Sequence, residues 1–153
     1  MTDAAGSFRV YVDANPFIYF IEGEETIARR IKPFFDILKG NSNCAVTSEL
    51  TLAEILAKAR PDARRNYFNL IVWSNLFQLL PVTRDILIDT VDYRSVSQST
   101  RRVNLPDAIH VVTAISARCQ AFFSADAGLK LPENIELFEP NDAAVAKLVD
   151  GIR

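Results

Sequence analysis

Short apolar runs alternate along the chain with longer stretches of helical periodicity, and this alternation constrains the fold more than any other feature. Residues 8–12, 44–47, 77–82, 121–124 and 135–138 read as strands. Strands separated by amphipathic helices are the pattern of βαβ units and a parallel sheet, so the expected fold class is α/β. Asn15 is placed to cap the helix after the first strand, with Pro16 in its first turn, where a missing N–H costs nothing. A second helical stretch covers residues 24–38 and stops at Gly40. Ser48 caps a helix carrying Leu50, Leu52, Ile55 and Leu56; Pro61 interrupts it, and residues 63–73 are helical again. Further helices are expected over residues 84–96, from Pro106 through Ala117, and over residues 142–149. The polar, basic segment 97–104 reads as an exposed loop. No repeat, low-complexity stretch or linker divides the sequence, so residues 1–153 are expected to form a single domain.

Composition narrows the chemistry. The hydrophobic share of 49% and charged share of 24% are those of an ordinary globular chain. The two cysteines, Cys44 and Cys119, lie in apolar surroundings that read as core and form no spaced framework, which favours a reduced, cytoplasmic setting. The first eight residues lack the apolar core of a signal peptide, and no run approaches the roughly 18 apolar residues of a membrane span. One histidine and two cysteines cannot build a tetrahedral zinc site of the usual kind, so any metal is held mainly by oxygen. A net charge of −2 argues against a protein held to nucleic acid by bulk electrostatics. It leaves room for an enzyme that meets nucleic acid through a metal and a few arginines.

Four acids stand at equivalent places. Asp13 follows the first strand, Asp126 follows the fourth, Glu54 lies early in the helix after the second, and Asp107 lies in the first turn of the helix opened by Pro106. In a parallel sheet all strands end on one edge, where the following helices begin and where ligands bind. Taken singly, Asp13, Asp107 and Asp126 are as well explained as helix caps or first-turn charges. Glu54 sits among Leu50, Leu52, Ile55 and Leu56, where a purely solvated glutamate is less expected. Glu49 is five positions away, about 140° around the helix, so the two do not share a site. Clustered carboxylates repel one another unless a cation neutralises them, and Mg²⁺ or Mn²⁺ meets that need.

The segments Val10-Tyr11-Val12-Asp13-Ala14-Asn15, Leu52-Ala53-Glu54-Ile55-Leu56, Leu105-Pro106-Asp107-Ala108-Ile109-His110 and Ser124-Ala125-Asp126 stand in an order that resembles the PIN-domain ribonucleases, most closely the VapC-type toxins of toxin–antitoxin pairs. The resemblance spans about residues 8–138. It implies a three-layer α/β/α sandwich with a five-stranded parallel sheet and Mg²⁺- or Mn²⁺-dependent endonuclease activity on RNA. It places metal ligation and catalysis on Asp13, Glu54, Asp107 and Asp126, with Asn15 and Ser124 in support. Ser124 departs from the threonine common in the family but keeps the hydroxyl. The resemblance further implies a homodimer and a small antitoxin protein that lays a helix or strand across the active-site groove.

Several features carry two readings. The apolar faces of residues 17–21, 31–38 and 67–73 are either plain core or a partner surface. His110 shares a helix face with Asp107; a buried helix position is the simpler reading, an acid–base role the bolder one. Arg94, Arg101 and Arg102 either grip RNA phosphates or belong to a solvated loop. At the level of function, a housekeeping PIN nuclease of RNA maturation or DNA would keep the same site, and a non-catalytic PIN scaffold would ordinarily lose one of the acids. A phosphate-signalling receiver needs adjacent acids near the first strand and a lysine after the last, and neither stands in place. The Asp-x-Asp phosphatase signature fails because position 15 is asparagine.

Overall fold

The computed structural model describes residues 7–96 and 103–153. Among them are the strands β1 (Val10–Val12), β2 (Ala45–Ser48), β3 (Phe77–Leu80), β4 (Ala121–Phe123) and β5 (Glu136–Phe138). They form one sheet in the order β3-β2-β1-β4-β5, and every neighbouring pair is parallel. The helices are α1 (Ala14–Glu22), α2 (Glu25–Leu38), α3 (Glu49–Lys58), α4 (Arg64–Tyr67), α5 (Arg84–Val96), α6 (Leu105–Ser116) and α7 (Asp142–Ile152). A short 3₁₀ turn, Pro61–Ala63, precedes α4, and a π-helical stretch, Phe68–Trp73, follows it.

Every residue of β1, β2 and β4 is buried, as expected for strands covered on both faces. Successive side chains alternate sides. Val10 and Val12 enter the larger cluster, with Phe17 of α1, Ile31, Phe34 and Phe35 of α2, and Leu148 of α7. Tyr11 points the other way, to Val111 and Ala114 of α6 and to Phe122. Ile86 of α5 packs on Ile109 and Val112 of α6 in a third cluster. Helices thus cover both faces of the sheet, giving the parallel α/β class that the alternating pattern predicts and the three-layer α/β/α arrangement that the resemblance implies.

Aromatic pairs tie helices to strands: the Phe34 and Phe123 ring centroids are 4.9 Å apart, and those of Phe17 and Phe77 are 5.0 Å apart. Phe17, Ile31, Phe34, Phe35, Leu38, Tyr67 and Ile71 are all buried, so most of the doubtful apolar faces are core. Trp73 is the exception, 62% exposed and stacked on Phe68. Cys119 is buried and Cys44 half-buried, and both are free thiols. No helix among the described residues is long and apolar enough to cross a membrane.

Three local expectations are corrected. Asp13, not Asn15, caps α1: its Oδ1 accepts from the Ala14 amide at 2.8 Å, and the helix begins two residues earlier than a cap at Asn15 allows. β3 ends at Leu80, where its pairing with Ser48 of β2 ends, rather than at Val82. α7 continues past Val149 to Ile152, because Ile152 is buried in the same cluster as Leu148.

The strand order fixes where a site can form. From β1 the chain moves outward through β2 to β3, then returns to place β4 and β5 on the other side. The crevice between the carboxyl ends of β1 and β4 is therefore the topological switch point, the position where open α/β sheets bind ligands.

Phe34 is fully buried against Phe123, so Phe34→Ala should lower unfolding free energy by about 3–5 kcal/mol in chemical denaturation. A loss below about 1 kcal/mol would mean that the aromatic cluster does not anchor α2 to the sheet.

Candidate metal centre

Asp13 and Asp126 leave β1 and β4 side by side. The Asp13 amide continues the strand ladder by donating to Phe123 O at 3.0 Å. Its Oδ2 accepts from Ser124 Oγ at 2.8 Å, while Oδ1 caps α1. Ser124 is fully buried, and its Oγ also accepts from the Asp126 amide at 3.1 Å. Asn15 Oδ1 accepts from the Ala125 amide at 2.8 Å. Asp126 Oδ1 in turn accepts from the Gly128 amide at 3.0 Å. Each small polar side chain between the two acids thus spans the switch point, and the turn Ser124-Ala125-Asp126 is held to β1 and α1 by side-chain bonds.

Glu54 arrives from α3, which Ser48 caps by accepting the Leu50 amide at 3.0 Å. The register separates the two candidate glutamates. Glu49 is exposed in the first turn, while Glu54 is drawn inward to a 2.7 Å contact between its Oε1 and His110 Nε2. His110 is buried on α6, and its Nδ1 lies 2.6 Å from the Tyr11 hydroxyl. His110 Nε2 is also 3.7 Å from Asp13 Oδ1. Burial works against a charged imidazole, but the Glu54 hydrogen bond and the charges of Asp13, Glu54 and Asp107 prevail, and its pKa is raised. Burial likewise drives the Tyr11 phenol far above its ordinary range. The sequence placed His110 on the right helix face, yet nothing in it pointed to Tyr11 as a partner.

Asp107 sits in the first turn of α6. Asn104, expected only as the end of the basic loop, caps that helix by accepting the Asp107 amide on Oδ1 at 2.9 Å. Asp107 and Asp126 line one small cleft, with Val103, Asn104 and Leu129. Burial, then the charges of Asp126 and Asp13, push the Asp107 carboxyl pKa up; His110 pulls it down and Glu54 adds to the rise. Asp107 therefore feels the charges of the other three acids across the crevice. Asp13, Glu54 and His110 each offer a ligand atom, and these atoms lie within 4.8 Å of one another. Oxygen donors at this density, with a carboxyl strained upward by its neighbours, fit a hard divalent cation.

Of the proposed RNA-gripping arginines, Arg94 is half-buried and its Nε donates to Val103 O at 3.0 Å, tying α5 to the segment that leads into α6. Arg101 and Arg102 lie outside the described residues.

A family model described as the PIN domain matches residues 10–133. No curated protein sequence matches the chain. Among solved structures, the fold is similar to FitAB bound to a DNA fragment, with a TM-score of 0.62 and 15% identity over 86% of this chain and 94% of the other. VapBC2 of Rickettsia felis, bound to a fragment of its promoter, gives 0.61 and 14% over 86% and 98%. The sarcin–ricin-loop-cleaving toxin VapC20 of Mycobacterium tuberculosis gives 0.56 and 17% over 74% and 86%. At these identities the likeness is one of fold.

The raised carboxyl of Asp107 has a measurable consequence. An acid whose pKa is higher in the native state binds more protons folded than unfolded, so stability falls as pH rises from its ordinary value through the raised one. Asp107→Asn removes that loss. It should raise the melting temperature of the metal-free protein at about pH 8 and change it little near pH 4, around the ordinary aspartate pKa. Calorimetry at both pH values checks this; a lower melting temperature at the higher pH would contradict the charge crowding.

Proposed function

The chain belongs to the PIN-domain family, and from that premise we propose that it is a Mg²⁺- or Mn²⁺-dependent endoribonuclease, the toxin component of a toxin–antitoxin pair. What supports this reading is that Asp13 and Asp126 follow neighbouring strands at the β1–β4 switch point, that a Glu54 oxygen lies within 4.8 Å of an Asp13 oxygen, and that Asp107 lines a cleft with Asp126. A fold shared with toxins, one of which cleaves the sarcin–ricin loop, supports the choice of RNA. Complexes such as VapBC2 support an antitoxin partner.

In this reading the four carboxylates hold the cation. When bound, Mg²⁺ or Mn²⁺ polarises the scissile phosphate and makes a water more acidic. The protein's own work is positioning. Ser124 Oγ holds Asp13 Oδ2 and the Asp126 amide together, so the two acids at the strand ends keep a fixed separation. Asn15 fixes the turn between them through the Ala125 amide. Asn104 starts α6 where Asp107 faces Asp126. Arg94, Arg101 and Arg102 are suited by residue type to phosphate.

The assembly we propose is a homodimer. Leu87, Ile88 and Val91 on α5 and Ile115 on α6 are exposed large apolar side chains. The helices that carry them pack together, and a face of this kind suits a second copy of the chain. RNA as substrate and two free cysteines accord with the cytoplasm.

Asp13→Asn should leave the fold intact and cut RNA cleavage by more than the roughly 10–100-fold that loss of an outer-shell partner costs. Chelation by excess EDTA should do the same to the wild type. Sequencing of RNA 5′ ends from cells expressing each form then reads the substrate; undiminished cleavage in either arm would sink the mechanism. For the dimer, Val91→Asp should shift the mass measured by light scattering from two copies to one. A monomeric wild type, or an unaltered variant, would overturn the assignment of that face.

A further inference from the structure

Glu54 differs from the other acids of the site in how it is held. Asp13 is fixed by the Ala14 amide and Ser124, and Asp126 by the Gly128 amide. Glu54 has a longer side chain with more rotamer freedom to lose. Among the described residues its one hydrogen bond is the 2.7 Å contact to His110 Nε2.

We propose that His110 is a positioning residue for Glu54, its imidazole clamped between that carboxylate and the Tyr11 hydroxyl; this rests on the metal-dependent reading above. The chemistry of the donors fixes the Glu54 end of the relay. An ionised carboxylate only accepts, so Nε2 carries the proton and donates to Glu54 Oε1. In the neutral ring Nδ1 is then the acceptor, and the Tyr11 hydroxyl donates to it at 2.6 Å. Both ring nitrogens are spent inside the protein. Neither is left to accept a proton from a water or to ligate an ion, although Nε2 lies in the same tight cluster as Asp13 and Glu54.

The relay also joins the elements that carry the acids. Tyr11 lies on β1 two residues before Asp13, His110 lies on α6 three residues after Asp107, and Glu54 lies on α3. Three residues along a helix place His110 and Asp107 on neighbouring positions of one face. A shift of α3 relative to α6 therefore breaks the Glu54 bond, and a shift of α6 relative to β1 breaks the Tyr11 bond. Tyr11 and His110 are both buried, where a polar group without a partner is costly, so the pair locks the geometry. Outer-shell partners of this kind orient a metal's ligands and hold their reach.

The chain contains a single histidine, which makes the test direct. In ¹⁵N-histidine NMR of the metal-free wild type, Nε2 should be protonated; a bare Nε2 overturns the proposal. Calorimetric titration with Mn²⁺ then compares two variants whose metal-free folding is checked by circular dichroism. His110→Gln places an amide donor near Nε2 and should bind Mn²⁺ like the wild type. His110→Asn, whose amide stands nearer Nδ1, keeps Tyr11 but loses Glu54, and should bind about 10–100-fold more weakly. Equal affinity in His110→Asn, or an equal loss in both variants, overturns the positioning role, the latter because it marks the imidazole itself as a ligand. If a variant does not fold, the protonation of Nε2 in the wild type decides. A wild type that binds no Mn²⁺ would contradict the metal-dependent reading instead, and the Nε2 proton would still report on the clamp.

Discussion

One serine hydroxyl spans the centre of this molecule. Ser124 Oγ donates to Asp13 and accepts from the Asp126 amide, so the chain leaving β4 is held to the acid that ends β1. Without such bonds the carboxylates at this edge would move apart, because like charges in a partly dry crevice raise one another's pKa and favour separation. Asp107 records the crowding, since burial and the charges of Asp126 and Asp13 lift its carboxyl. A site of this kind lowers the stability of the metal-free fold, and the loss is offset by the body of the domain. The aromatic layer of Phe17, Phe34, Phe35 and Phe123 supplies that offset on one face of the sheet.

Topology supplies the rest. Because the sheet is parallel and its order reverses at β1, four acids spread from position 13 to position 126 are delivered to one edge without any of them being near another in sequence. Each arrives on a different kind of support: the end of β1, the second turn of α3, the first turn of α6, and the turn after β4. Helix caps set the three helices involved, with Asp13, Ser48 and Asn104 as cap residues. Asp13 has two tasks at once, one carboxylate oxygen on the helix and the other on Ser124.

Much of this was legible in the sequence. The strands could be read because both faces of a parallel sheet are buried and the apolar runs are short and continuous. The choice of Glu54 over Glu49 followed from helical register, which places one inward and leaves the other exposed. Other features depend on contacts between residues far apart in the chain. Asn15 is as good a cap as Asp13 by type, and only the pairing of β1 with β4 shows that its side chain is claimed by the Ala125 amide. His110 was visible as a neighbour of Asp107, but its link to Tyr11 joins positions 99 apart, a distance no periodicity reports. Ile152 extends α7 because it finds a buried place in the core, a tertiary effect that local propensity does not carry.

Asp13, Glu54, Asp107 and Asp126 are proposed to form one site for a divalent cation. Anomalous diffraction from crystals of the protein grown with Mn²⁺ tests it most directly. A peak in the crevice between the ends of β1 and β4, within ligating distance of Asp13 and at least one of the other three carboxylates, is the predicted result. An empty crevice at saturating Mn²⁺, or a peak held only by residues outside this set, would contradict it.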